Sequence, residues 1–185
     1  MNKKRAWLPY GLLALAVGVV VLLAWANRDR LNPVVPGSSF PDFVAYDLNG
    51  ETATKSDFRG KVLLLNIWAT WCAPCKEEMP SMQRLREEIP DDEFEILAVS
   101  IDQPSGDHQP TNPLGGRLRA FADSMGLTFT ILHDPSGEIS ETLQTTGVPE
   151  SFVVSRDGLL FRKITGPTAW DAAQNVELIR RLLEG

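Results

Sequence analysis

Val62-Leu63-Leu64-Leu65-Asn66-Ile67-Trp68-Ala69-Thr70-Trp71-Cys72-Ala73-Pro74-Cys75 decides how this chain reads. From Val62 to Trp68 the one strongly polar side chain is Asn66, which fits a strand covered on both faces. After Cys72, apolar Met79, Met82, Leu85 and Ile89 recur at helical spacing. The turn between strand and helix carries the only two cysteines in 185 residues, spaced C-x-x-C. A cysteine in the first turn of a helix faces unpaired backbone N–H groups and the positive end of the dipole, and both favour its thiolate. Cys75 lies a turn deeper and can attack a mixed disulfide formed at Cys72. Pro74 suits a first turn, where its missing N–H would have had no partner. The pair reads as a redox dithiol, with Cys72 attacking and Cys75 resolving.

Other uses of two cysteines fit less well. Zinc takes four ligands, and His108 and His133 are the only histidines, His108 in a Pro-rich loop far along the chain. A staple across so small a ring removes little chain entropy. A copper-binding chaperone using Cys72, Cys75 and His133 remains the alternative from a different class, as does a redox role in copper-site assembly. Met79 and Met82 read as packing residues rather than copper ligands.

Upstream, residues 1–26 read as a membrane anchor, 27–39 as a linker and 40–185 as one folded domain. Ala6 to Ala26 contains no charged residue, and as a helix it spans about 30 Å, enough for a bilayer core. Trp7, Tyr10 and Trp25 stand near its ends, and Lys3, Lys4 and Arg5 precede it, which keeps the N-terminus in the cytoplasm and sends the domain across. A retained single-pass anchor is favoured over a cleaved signal peptide, because the apolar run is long and the Ala24-Trp25-Ala26 site is bulky. The dithiol is then expected at the cell membrane on the extracytoplasmic (periplasmic) side. Five cations against one anion give residues 1–30 a net +4, so a total of −6 leaves −10 on the remainder. So acidic a domain argues against nucleic acid as a partner.

Downstream and around this centre the signals alternate. Asn49-Gly50 predicts a hairpin between 42–47 and 51–54. Glu93 to Ile101 is the next strand, and strand–helix–strand implies parallel pairing with a right-handed crossover. The Pro- and Gly-rich stretch Asp102 to Gly116 reads as a loop emerging on the rim that carries Cys72, where it would help to select the substrate. A helix over 117–125, a strand over 128–132 ending at His133, and a short helix over 136–145 follow. Arg156-Asp157-Gly158 turns a hairpin between 152–154 and 159–165. The last helix starts near Thr168, with Asp171 completing a capping-box variant.

Trp68-Ala69-Thr70-Trp71-Cys72-Ala73-Pro74-Cys75, Pro80 and Gly147-Val148-Pro149 together resemble the thioredoxin superfamily. With the anchor, Leu48-Asn49-Gly50-Glu51 and Gly60-Lys61, the fuller pattern is similar to its TlpA-like branch, membrane-anchored reductases that include those of cytochrome c maturation. The resemblance implies an α/β thioredoxin fold, a central mixed sheet flanked by helices with an N-terminal β-hairpin extension. It implies a cis bond before Pro149, facing the dithiol and presenting backbone to an extended substrate. Trp71, Ala73, Pro74 and Val148 would line the surface a client meets, with Trp71 shielding Cys72. Common thioredoxins bury an aspartate beneath the resolving cysteine, where this chain has Asn66. The resemblance places the compensating proton acceptor at Glu78, three residues after Cys75 and so on the same helix face. Glu77 points elsewhere, into solvent. The implied activity is protein disulfide reduction with no cofactor beyond the dithiol itself. A membrane thiol transporter would supply electrons, and apocytochrome c would be the client.

Overall fold

A computed structural model describes residues 8–26, 33–90, 92–103 and 113–185. It separates into two units, Met1–Pro33 and Val34–Gly185. The first contains α1 (Leu8–Ala26), whose side chains from Tyr10 to Trp25 are exposed. Among the described residues no helix is long and apolar enough to cross a membrane. Trp7, the N-terminal cations and residues 27–32 of the linker lie outside the described residues, as do His108 and loop positions 104–112.

The second unit is built around β3 (Val62–Trp68), every residue of which is buried. The sheet also holds β1 (Val44–Tyr46), β2 (Thr52–Thr54), β4 (Phe94–Ser100), β5 (Thr130–His133), β6 (Glu150–Val154) and β7 (Leu160–Thr165). Their order is β2-β1-β5-β4-β3-β6-β7. β3 pairs parallel with β4 and antiparallel with β6, so the sheet is mixed. Among the described residues, four α-helices, α2 (Ala73–Glu88), α3 (Pro113–Met125), α4 (Glu138–Thr142) and α5 (Ala173–Glu184), and a 3-10 turn at Lys55–Phe58 accompany the sheet.

Alternation along β3 divides the core in two. Val62, Leu64 and Trp68 join Met79, Met82 and Leu85 of α2 and Val176 and Ile179 of α5 on one face. Leu63, Leu65 and Ile67 meet Phe40, Phe152 and Leu143 on the other. Each such side chain contributes roughly 1.5–3 kcal/mol by leaving water, which is why the strand tolerates so little polarity. Asn66 shares the Val62, Leu64 and Trp68 parity and so lies on the α2 side, where the site is built.

Several boundaries differ from the sequence reading. The first hairpin pairs only Val44–Tyr46 with Thr52–Thr54, its turn tightened by Asp47 accepting the Asn49 and Glu51 N–H groups at 2.8 Å each. Pro113 to Gly116 are the first turn of α3 rather than loop. Thr168 and Asp171 do not cap the last helix. That helix begins at Ala173, while the Thr168 carbonyl accepts from Ser81 Oγ and Asp171 pairs with Arg84 at 2.6 Å. Contacts to α2 hold this segment outside the helix.

Candidate active site

Cys72 is the N-cap of α2, with extended backbone dihedrals, and its Sγ accepts the Cys75 N–H at 3.2 Å. Cys72 and Cys75 are joined as a disulfide. Their exposures differ in the useful direction, 5% for Cys72 and 1% for Cys75. Both residues are nearly buried, and Cys72 is the more exposed of the two. The same N–H that caps the helix would stabilise a Cys72 thiolate once the disulfide is reduced.

Across from this pair, the Val148–Pro149 peptide bond is cis, and the Val148 carbonyl oxygen lies 3.7 Å from Cys72 Sγ. Residues 73, 74, 148 and 149 therefore border one surface with Cys72; Ala73 and Pro74 are exposed and Pro149 is buried. Trp71 is 66% exposed, so its ring stands out into solvent beside Cys72 rather than packing over it. The buried aromatic of the motif is Trp68, which packs against Phe121 at 5.0 Å between ring centres.

Two acidic side chains that the sequence reading passed over hold this surface from behind. Asp102 accepts the Thr70 N–H at 2.9 Å, the Thr70 hydroxyl at 2.7 Å and the Ser100 hydroxyl at 2.6 Å. It thereby ties the end of β4 to the turn that presents Trp71 and Cys72. Glu150, fully buried next to Pro149, accepts from the Thr165 hydroxyl at 2.7 Å and pairs with Lys163 at 3.4 Å. The signal for Asp102 was available, since a strand parallel to β3 must end on the Cys72 rim. Removing its carboxylate orphans a backbone N–H and two hydroxyls, so Asp102→Ala should cost about 1–3 kcal/mol in urea unfolding. A loss below about 0.5 kcal/mol, the ordinary range for a surface change, would contradict the clamp.

Three residues beyond Cys75 on α2 stands a buried carboxyl group. Glu78 is 3% exposed, and its Oε1 accepts the Trp170 indole N–H at 2.5 Å. Oε2 makes no regular hydrogen bond, while the Asn66 side chain and the Thr168 backbone also favour the charged form. Burial pushes the carboxyl from 4.5 up to about 7, with the Trp170, Thr168 and Asn66 groups opposing that rise. Asn66 is 1% exposed and donates to Ser151 Oγ at 2.8 Å, so the amide that stands in for an aspartate is itself satisfied. Glu77 is exposed.

His133 is buried at the end of β5, 5.8 Å from the Tyr46 ring, and burial holds its imidazole below the usual pKa. Among the described residues no three His, Cys, Asp or Glu side chains gather into a metal-holding group, so the copper set Cys72, Cys75 and His133 is not assembled.

The AhpC/TSA family model matches residues 36–162, more than half of the chain. The chain belongs to the AhpC/TSA family. Among its relatives, the thiol-disulfide oxidoreductase ResA of Geobacillus thermodenitrificans is 35% identical over 148 residues, 80% of this chain and 79% of its own length. The thioredoxin-like protein YneN of Bacillus subtilis is 32% identical over 157 residues, 84% of this chain and 87% of its own length. The fold is shared with a thioredoxin-family thiol:disulfide interchange protein from Chlorobium tepidum TLS, with a TM-score of 0.63 and 20% identity over 80% of this chain and 98% of that one. StoA of Bacillus subtilis shares it with a TM-score of 0.56 and 23% identity over 82% and 99%. The thioredoxin-like α/β architecture read from the sequence is therefore the architecture of this family. With its C-x-x-C pair, the chain is a ResA-like thiol-disulfide oxidoreductase.

Proposed function

We propose that this member of the family is a reductant of protein disulfides, held at the membrane by Ala6–Ala26 with its dithiol on the extracytoplasmic side. The single observation that carries the reading is the asymmetric sulfur pair at the N-terminus of α2, facing the Val148 carbonyl. In the reaction, the Cys72 thiolate attacks one sulfur of a client disulfide and expels the other as a thiolate. Cys75 gives its proton to Glu78 and, as a thiolate, attacks Cys72 Sγ. The client leaves with both sulfurs reduced, and the enzyme keeps the Cys72–Cys75 disulfide. Two electrons have passed to the client, and a membrane thiol-transferring partner must return them. No other redox group enters the step.

An extended client segment would lie along Val148 and Pro149, with Trp71, Ala73 and Pro74 as its other borders. The client favoured is the haem-site disulfide of apocytochrome c. The support is the ResA name carried by relatives at 35% identity and an anchor-like apolar run behind basic residues. Oxidised and reduced forms of a C-x-x-C-H peptide, mixed with the protein in the opposite state, test the direction. Reduction of the peptide by the dithiol protein is expected. Net oxidation of the dithiol peptide would reverse the assignment. Labelling Cys72 in whole cells with a membrane-impermeant maleimide tests the topology, and protection of reduced Cys72 until the cells are lysed would overturn it.

A further inference from the structure

Trp170 precedes the last helix in a stretch whose sequence offered no reason to connect it with the cysteines. It is fully buried, and its indole N–H ends on Glu78 Oε1. An indole nitrogen only donates, so this bond favours the carboxylate. The ring is locked to the helix that carries the carboxyl group. The Trp170 backbone N–H donates to Ser81 Oγ at 3.0 Å, and Ser81 sits three residues beyond Glu78 on α2. From the other side, buried Asn175 donates to the Ala169 carbonyl at 2.8 Å. One carboxylate oxygen is thus occupied, while the other, Oε2, is buried and bare.

We propose that Trp170 is a positioning residue for disulfide exchange, whose indole N–H keeps Glu78 able to accept the Cys75 proton near neutral pH. The proposal rests on Glu78 being that acceptor. Burial alone would hold the carboxyl protonated through the neutral range, and a protonated acid cannot take the proton from Cys75. No charged neighbour is among the causes of the Glu78 shift. On α2, Cys75 stands three residues before Glu78, and β3 contributes the neutral Asn66, which donates to Ser151 of β6. The segment before α5 contributes Asp171, which is neutralised at the surface by Arg84. The indole bond is the largest of the hydrogen bonds that hold the shift down.

The test titrates the Glu78 carboxyl carbon by NMR and the alkylation rate of reduced Cys75 against pH, in the wild type, Trp170→Phe, Glu78→Gln and the double variant. Losing one hydrogen bond to a charged group should move the Glu78 midpoint upward by about one pH unit. The Cys75 profile should move with it, while Trp170→Phe should change nothing further once Glu78 is Gln. A Glu78 midpoint unmoved by Trp170→Phe overturns the role of Trp170 and leaves Glu78 standing. A Cys75 profile identical in wild type and Glu78→Gln overturns the Glu78 reading, and this inference with it. If Trp170→Phe does not fold, benzothienylalanine at position 170 keeps the ring shape without the N–H and gives the same decision.

Discussion

Cys75→Ser is expected to leave the protein covalently joined to its client through Cys72. The remaining thiolate still attacks, but nothing behind it can release the mixed disulfide. Cys72→Ser, by contrast, should lower exchange by at least about a thousandfold, the order seen when the nucleophile of a covalent mechanism is removed. The expected asymmetry rests on position: Cys72 caps the helix and is the more exposed, at 5% against 1% for Cys75. Non-reducing electrophoresis with mass spectrometry of the adduct checks both. Adducts of Cys72→Ser through Cys75 would reverse the roles of the two sulfurs.

The second large effect is on stability. In the folded oxidised protein the Glu78 carboxyl titrates at about 7 rather than 4.5. Between those values the native state holds a proton that the unfolded chain has released, so stability falls as pH rises from about 4.5 to about 7 and levels off above. The difference corresponds to roughly 3 kcal/mol. Glu78→Gln removes the titration. Urea unfolding should show the wild type losing about 3 kcal/mol relative to Glu78→Gln as pH is raised from 4 to 8. Parallel stability curves would mean that the carboxyl is not protonated at pH 5 in the folded protein.

Much of the architecture could be read from local patterns because here local and tertiary demands agree. Val62 to Trp68 needs two covered faces and receives them, and Asn49-Gly50 and Arg156-Asp157-Gly158 turn hairpins by their own backbone preferences. The misreadings occur where long-range contacts prevail. Thr168 and Asp171 form a plausible cap in sequence, but burial of Trp170 and the Ser81 bonds hold that segment outside the helix. Pro113-Leu114-Gly115-Gly116 looks like loop, since two glycines cost about 1 kcal/mol each in a helix. Burial of Leu118 and Ala122 on the same helix offsets that cost, and Pro113 fits its first position.

The site divides in the same way. Cys72, Cys75 and Glu78 are related by spacing on one helix, so the sequence alone could join them. Trp170, Asp102 and Glu150 come from separate elements, and only the fold brings them behind that surface. An aspartate at a strand end and a tryptophan before a helix have too many ordinary uses to be assigned without it.

The central claim is that Cys72 is the accessible thiolate and Cys75 the guarded thiol. Reducing the protein and following iodoacetamide modification of each cysteine by mass spectrometry from pH 5 to pH 10 measures this directly. Cys72 should react first, with an apparent pKa below the ordinary value of about 8.5, and Cys75 should lag far behind. Equal rates at the two positions, or a Cys72 that titrates at or above that value, would contradict the account.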